Sequence, residues 1–220
     1  PGSALAKAAR RAALPWMASA EQIWAERIVL RLSADPAIKR IQAQARAELM
    51  ATPRARLPDA AATLDESIGQ WTRSLIFAEC VERPASPAFL WGTDDTPRTW
   101  LGHRLPGVGT SGDNPDAFYQ TAGIDGGGRY EILGQFHPDS RPAQLLIEVN
   151  KGSMAQSHKI MLVTAGQHSD ISSNSMMSDR ELAVRPDGSF RITLGGEAGG
   201  PNHLTIPPEG FCSVGVRHML

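Results

Sequence analysis

The chain changes its periodicity once, and that change limits its architecture more than any motif does. Up to about residue 83, alanine-rich segments repeat apolar residues at helical spacing; from residue 129 onward, apolar and polar residues alternate between glycine and proline punctuation. Helices first and short strands afterwards is the pattern of an α+β protein, not of alternating βαβ units.

Three helices are expected in the first part. Trp24, Ile28 and Leu32, with Ile23 and Val29 beside them, make one apolar stripe. A second helix opens at Asp35, which can cap it, with Pro36 at the first helical position and Ile38, Ile41, Ala45 and Leu49 on one face. A third carries a capping box, Thr63 with Glu66, and places Leu64, Ile68, Trp71 and Leu75 on one face until Pro84 stops it. Each has one apolar side that needs a partner.

Residues 84–112 are rich in Pro and Gly, carry Phe89, Leu90, Trp91, Trp100 and Leu101 without a period, and read as an ordered wrapping connection. Strands are then expected at 129–136, 143–150, 158–164, 180–185, 189–195 and 211–220, the fourth and fifth joined as a hairpin by "PDGS". In the last, Cys212, Val214, Val216 and His218 alternate with Phe211, Ser213, Gly215 and Arg217, so it should pair inside the sheet. The expectation is a helical segment over residues 1–83, the connection over 84–112, and a β-rich domain over 113–220. The helices would pack on an antiparallel β-sandwich or jelly-roll-like sheet. The strand running into the C-terminus suggests a portion of a longer chain, or a terminal strand covered by a partner.

Composition narrows the classes of function. With 22 basic against 23 acidic side chains, no global field exists to hold nucleic acid or an acidic membrane surface. No segment reaches the roughly 18 consecutive apolar residues of a spanning helix, and no signal-peptide apolar region follows the paired arginines near the start. A cytoplasmic protein without a membrane partner is therefore expected. Cys80 and Cys212 lack metal or redox spacing and read as two packed thiols, a single disulfide being the alternative.

The order "GDNPDAFYQTAGIDGGGRYEILG", "RELAVRPDGSFRITLGG", "PNHLTIPPEGFCSVGVRH" resembles bacterial proteins carrying the domain of unknown function 1214, over residues 110–218 or about half the chain. The resemblance implies a β-rich, jelly-roll-like sandwich, a setting often beside aromatic or steroid catabolism, and relatives that continue past the point where this chain ends. It carries over no catalytic residues.

The six histidines, at positions 103, 137, 158, 168, 203 and 218, form no metal-ligand spacing, and no metal site is expected. A nucleophile elbow is absent, and "GIDGGGRY" precedes a strand where a phosphate cradle would open a helix, so it reads as a loose hairpin tip. No cofactor is expected. Two polar runs remain. In "GDNPDAFYQT", Asp113, Asp116 and Tyr119 can supply a base and a phenolic acid, with Asn114 as an amide donor; the competing reading is an Asx-turn with Tyr119 packed at the sheet edge. In the aperiodic run 165–179, His168 and Asp170 are further catalytic candidates, and Asn174, Met176 and Met177 suit the mouth of an apolar pocket; a surface loop is the alternative. Together they point to a cofactor-independent acid/base enzyme, lyase- or hydrolase-like, on a small hydrophobic or aromatic molecule. The rival is a non-catalytic ligand-binding module or one that assembles as a homo-oligomer.

Overall fold

The computed structural model describes residues 17–100, 102–109, 114, 116–152 and 172–220. Among these residues three helices precede the strands: α1 (Ala20–Ser33), α2 (Pro36–Met50) and, after a 3-10 turn at Arg54–Arg56, α3 (Pro58–Val81). Asp35 accepts a 2.7 Å bond from the Ala37 N–H with Pro36 in the first turn, as the sequence predicts. Helix α3 starts five residues before the expected capping box. Pro58 already opens it, the alanines at 60–62 favour helix, and Thr63 sits inside, its hydroxyl donating back to the Asp59 carbonyl at 3.1 Å.

The stripe expected on α1 is rotated. Its buried residues are Gln22, Ala25, Glu26 and Val29, and Ala25 and Val29 share a core with Ile76, Phe77, Cys80 and Val81 of α3. Small side chains there let the helices approach closely, while Trp24 lies at the surface with the Arg83 guanidinium 4.6 Å from its ring centroid. Helix α2 buries no residue. It meets α3 through Gln42–Thr72 and Arg46–Asp65 contacts and leaves Ile41 and Leu49 exposed.

Among the described residues ten strands follow: β1 (Leu90–Thr93), β2 (Arg98–Trp100), β3 (His103–Leu105), β4 (Ala117–Asp125), β5 (Tyr130–Gln135), β6 (Gln144–Lys151), β7 (Ser172–Ser178), β8 (Ser189–Leu194), β9 (His203–Leu204) and β10 (Phe211–Met219). A five-stranded antiparallel sheet runs β1-β4-β10-β6-β7, a three-stranded sheet runs β5-β8-β9, and β2-β3 form a hairpin of their own. Among the described residues all pairings are antiparallel except β8 with β9. The expected alternation on β10 holds: it is a central strand, and Cys212, Val214 and Val216 enter one core with Ile147 and Val149 of β6 and with Ile192, Leu194 and Leu204 of the smaller sheet. The opposite face, at β1 and β4, receives the helices. The protein is thus α+β, with helices packed on mostly antiparallel sheets.

Gly123 marks how closely. A Cβ there would lie 2.5 Å from the Val81 carbonyl oxygen and 2.8 Å from the Phe211 ring, so Gly123→Ala should destabilise the protein by about 1–3 kcal/mol, read by chemical denaturation.

Three strand expectations are corrected. Residues 180–185 are not a strand, although the turn after them forms, with Gly188 at φ 83° donating to the Arg185 carbonyl at 2.9 Å. The Asn202 amide takes the place of a partner strand there: it accepts from the Ala183 N–H at 2.7 Å and donates to the Ala183 and Arg191 carbonyls at 2.8 and 3.0 Å. The glycine run is not a hairpin tip, because β4 and β5 belong to different sheets. Gly126 and Gly127 donate to the carbonyls of Gly210 and Pro207, and the lack of side chains lets the crossing lie against residues 207–210. The run 165–179 is not all loop: Ser172–Ser178 is β7, paired with β6. The expected strand at 158–164 lies outside the described residues. Cys80 and Cys212 are buried free thiols, each held above its ordinary pKa chiefly by burial.

Candidate functional site

The structure separates the described members of the set picked from sequence. Asn114 makes the Asx-turn, its Oδ1 accepting from the Asp116 N–H at 3.0 Å, and the Asp116 side chain is exposed. Tyr119 sits within β4, with the Arg217 guanidinium of β10 5.4 Å from its ring centroid. On β7, Asn174 donates to the Thr205 carbonyl and hydroxyl at 2.8 and 3.1 Å, Met177 is buried in the core between the sheets, and Met176 is exposed. The register runs Tyr119, Arg217, Leu146, Ser178 across four strands. Three strand spacings, about 14 Å, therefore separate Tyr119 from the near end of β7, and Asn174 lies farther along. Asp113, His168 and Asp170 lie outside the described residues. No group of three or more His, Cys, Asp or Glu among the described residues is placed to hold a metal ion.

A different cluster does converge, where α1 meets the edge of the large sheet. Gln22 and Glu26 are one helical turn apart on the buried face of α1. The hairpin β2-β3 supplies Arg98 and His103 from one face: Arg98 and Leu105 are paired and buried, Thr99 and Arg104 point out, and Gly102, at φ 83°, turns the chain between the strands. Glu26 is fully buried. Its Oε1 accepts from Arg98 Nε at 2.9 Å, Arg98 Nη2 at 2.8 Å and Gln22 Nε2 at 3.0 Å; its Oε2 lies 2.6 Å from His103 Nε2. Such a charge inside a protein requires this many partners, because an uncompensated carboxylate there costs several kcal/mol.

Strand β1 closes the cluster from the other side. The Gln22 amide accepts from the Trp91 N–H at 2.8 Å and donates to the Trp91 carbonyl at 3.1 Å, as a neighbouring strand would. Arg98 Nη2 also reaches that carbonyl at 2.9 Å, and the guanidinium carbon lies 4.2 Å from the Trp91 ring centroid. Burial pulls the Arg98 pKa down, and Glu26 opposes it through charge and hydrogen bonding.

The stack continues along the sheet. Trp91 meets Phe118 at 5.8 Å between centroids, and Phe118 lies nearly parallel to the His218 imidazole at 4.3 Å. His218 Nε2 bonds Gln120 Oε1 at 3.0 Å, which requires the proton on Nε2 because the amide oxygen only accepts. Burial lowers the His218 pKa to about 4 from 6.5. The folded protein therefore keeps this ring neutral while the unfolded chain takes up a proton below about pH 6.5, so stability falls as pH drops from there toward 4. The full effect is about 3 kcal/mol. His218→Phe should flatten that part of the pH dependence, and denaturation curves of both proteins at pH 7, 5.5 and 4.5 test it; equal slopes would contradict it.

Sequence reasoning missed Gln22, Glu26, Arg98 and His103. The available signal was a glutamine and a glutamate spaced like Ala25 and Val29 on one side of α1, but the larger apolar residues drew the stripe elsewhere.

The helices, the two facing sheets and the buried cluster define an α+β protein with a carboxylate–imidazole pair at the helix–sheet junction. No protein-family model matches the chain, and no curated protein matches it. Among solved structures it is similar to an uncharacterized protein from Burkholderia cenocepacia, with TM-score 0.59 and 20% identity over 84% of this chain and 44% of that one. A second, the VPA0106 protein from Vibrio parahaemolyticus, overlays with TM-score 0.37 and 16% identity over 74% of this chain and 41% of that one. The first likeness shows the fold alone, and the chain spans less than half the length of either protein.

Proposed function

We propose that the chain is a cofactor-independent acid/base enzyme, lyase- or hydrolase-like, on a small hydrophobic or aromatic molecule, with His103 as its proton-transferring group. The observation that carries this is the 2.6 Å contact between His103 Nε2 and the buried Glu26 carboxylate, with the imidazole still 16% open to solvent. A carboxylate that accepts from Nε2 fixes the proton there and turns the Nδ1 lone pair into the base. Arg98 and Gln22 hold the carboxylate in place. The base then takes a proton from substrate or from water and returns it as an acid in the next step. The resemblance to the domain of unknown function 1214 supports a bacterial setting beside aromatic catabolism, and cytoplasmic placement agrees with the absence, among described residues, of a helix long and apolar enough to cross a membrane.

The test is turnover of a panel of small aromatic and alicyclic esters, hydroxy acids and enolisable ketones. His103→Gln should fold normally and lose on the order of 10²–10⁴-fold in rate. Equal rates in both proteins, or no turnover by the unaltered chain, would count against the proposal.

A second reading, a non-catalytic module that assembles with copies of itself, draws support from the exposed Ile41, Leu49, Leu57 and Leu75 of the helical layer. Ile41→Lys with Leu49→Lys should then convert an oligomer to a monomer in sedimentation; a monomeric unaltered chain would sink it.

A further inference from the structure

The hairpin β2-β3 is built unlike the rest of the protein. Among the described residues its strands pair with neither larger sheet, and a two-stranded hairpin alone is marginal in water. Its base is firmly tied. Asp94 and Val108 exchange both backbone hydrogen bonds at 2.8 and 2.6 Å, and Arg73 donates to the Gly107 carbonyl at 2.6 Å. Beyond that base, Arg98 on one strand and His103 on the other converge on one carboxylate, Glu26 of α1. One side chain on the helix thus pins both arms.

We propose that this hairpin is a flap held shut by Glu26, opening about the Asp94–Val108 bridge as a unit smaller than the whole fold, and that opening switches off the acid/base pair by parting His103 from its carboxylate. The second half rests on the function proposed above; the first does not. Opening breaks the bonds from Arg98 and His103 to Glu26, the Arg98 bond to the Trp91 carbonyl and its stack on that ring, and lifts Leu105, paired with Arg98, out of the core it shares with α1 and α3. It leaves β1 in the sheet, where the Gln22 amide keeps both of its bonds to Trp91. It also leaves the core around β10 untouched. That makes it a local opening with its own free energy, lower than that of global unfolding.

Hydrogen exchange of the unaltered chain in low denaturant tests this directly. Amides of residues 98–100 and 102–105 should exchange through an opening that depends weakly on denaturant, while those of β4, β6 and β10 follow the steep dependence of global unfolding. His103→Leu, which removes one of the two arms, should speed exchange of these hairpin amides at least tenfold with the β10 amides unchanged. If the hairpin amides follow the same steep dependence as β10, or if His103→Leu speeds both regions alike, the flap is not an independent unit and the proposal fails. Neither result depends on turnover, so failure of the flap and failure of the enzymatic reading are told apart.

Discussion

Deleting residues 211–220 is expected to leave no soluble folded protein. Strand β10 pairs with β4 along Phe211–Met219 and with β6 along Cys212–Met219, so its removal opens the middle of the five-stranded sheet and leaves two facing edges without partners. It also takes Cys212, Val214 and Val216 out of the core shared by the two sheets. Burial of side chains of this size is worth about 1.5–3 kcal/mol each, and a domain holds only about 5–15 kcal/mol in total. The packing loss alone is comparable to that reserve, and the broken ladders on both sides of β10 add to it. The soluble fraction on expression and the melting curve of whatever remains soluble measure the outcome. A soluble truncated chain with unchanged melting would mean that β4 and β6 close on each other without this strand.

The strands legible in the sequence are those whose alternation matches a sheet buried on one face. β5, β6, β8 and β10 lie within one or two residues of the expected spans, because a period of two is visible whenever one face enters a core. β4 was hidden for a physical reason: its helix-covered face carries Tyr119, Thr121 and Gly123, and its core face carries Gln120 and Ala122, so neither reads as consistently apolar. β7 was hidden because its residues are serines, an asparagine and two methionines, and only its pairing with β6 makes them a strand. Residues 180–185 erred in the other direction. They alternate correctly, yet the Asn202 side chain occupies the backbone groups of Ala183 that a partner strand would use. Long-range side-chain hydrogen bonds of that kind leave no local pattern.

The same limit explains the site. Asn114 and Asp116 stand out in sequence because turn chemistry clusters polar residues, and an Asx-turn is what the structure makes of them. Glu26 and His103 are 77 residues apart, each surrounded by ordinary helix or hairpin sequence, and only the packing of α1 against β2-β3 brings them within 2.6 Å. The rotation of α1 decides it. The stripe of large residues predicted Trp24, Ile28 and Leu32 as the inner face, and that orientation would turn Glu26 toward water. The observed orientation instead puts Ala25 and Val29 against α3 and carries the carboxylate inside.

Arg98→Met should be among the most destabilising single substitutions in the protein, at about 3–5 kcal/mol. It keeps much of the volume of the stem but removes two of the three nitrogens at Glu26 Oε1, and Glu26 has no access to solvent to replace them. It also removes the cation that lies over Trp91. Gln22 and His103 remain, and they cannot supply a permanent positive charge. The companion Glu26→Met takes from the buried guanidinium its ion-pair partner on α1 and should cost a similar amount. With both replaced, neither charge is buried alone and two unbranched apolar side chains fill the space, so the double variant should be markedly more stable than the sum of the single losses predicts. Chemical denaturation of the four proteins gives the coupling energy, expected above about 2 kcal/mol. Additive losses, with coupling below about 0.5 kcal/mol, would show that the two charges do not depend on each other for burial, and the carboxylate that holds His103 would then need another explanation for its place inside the fold.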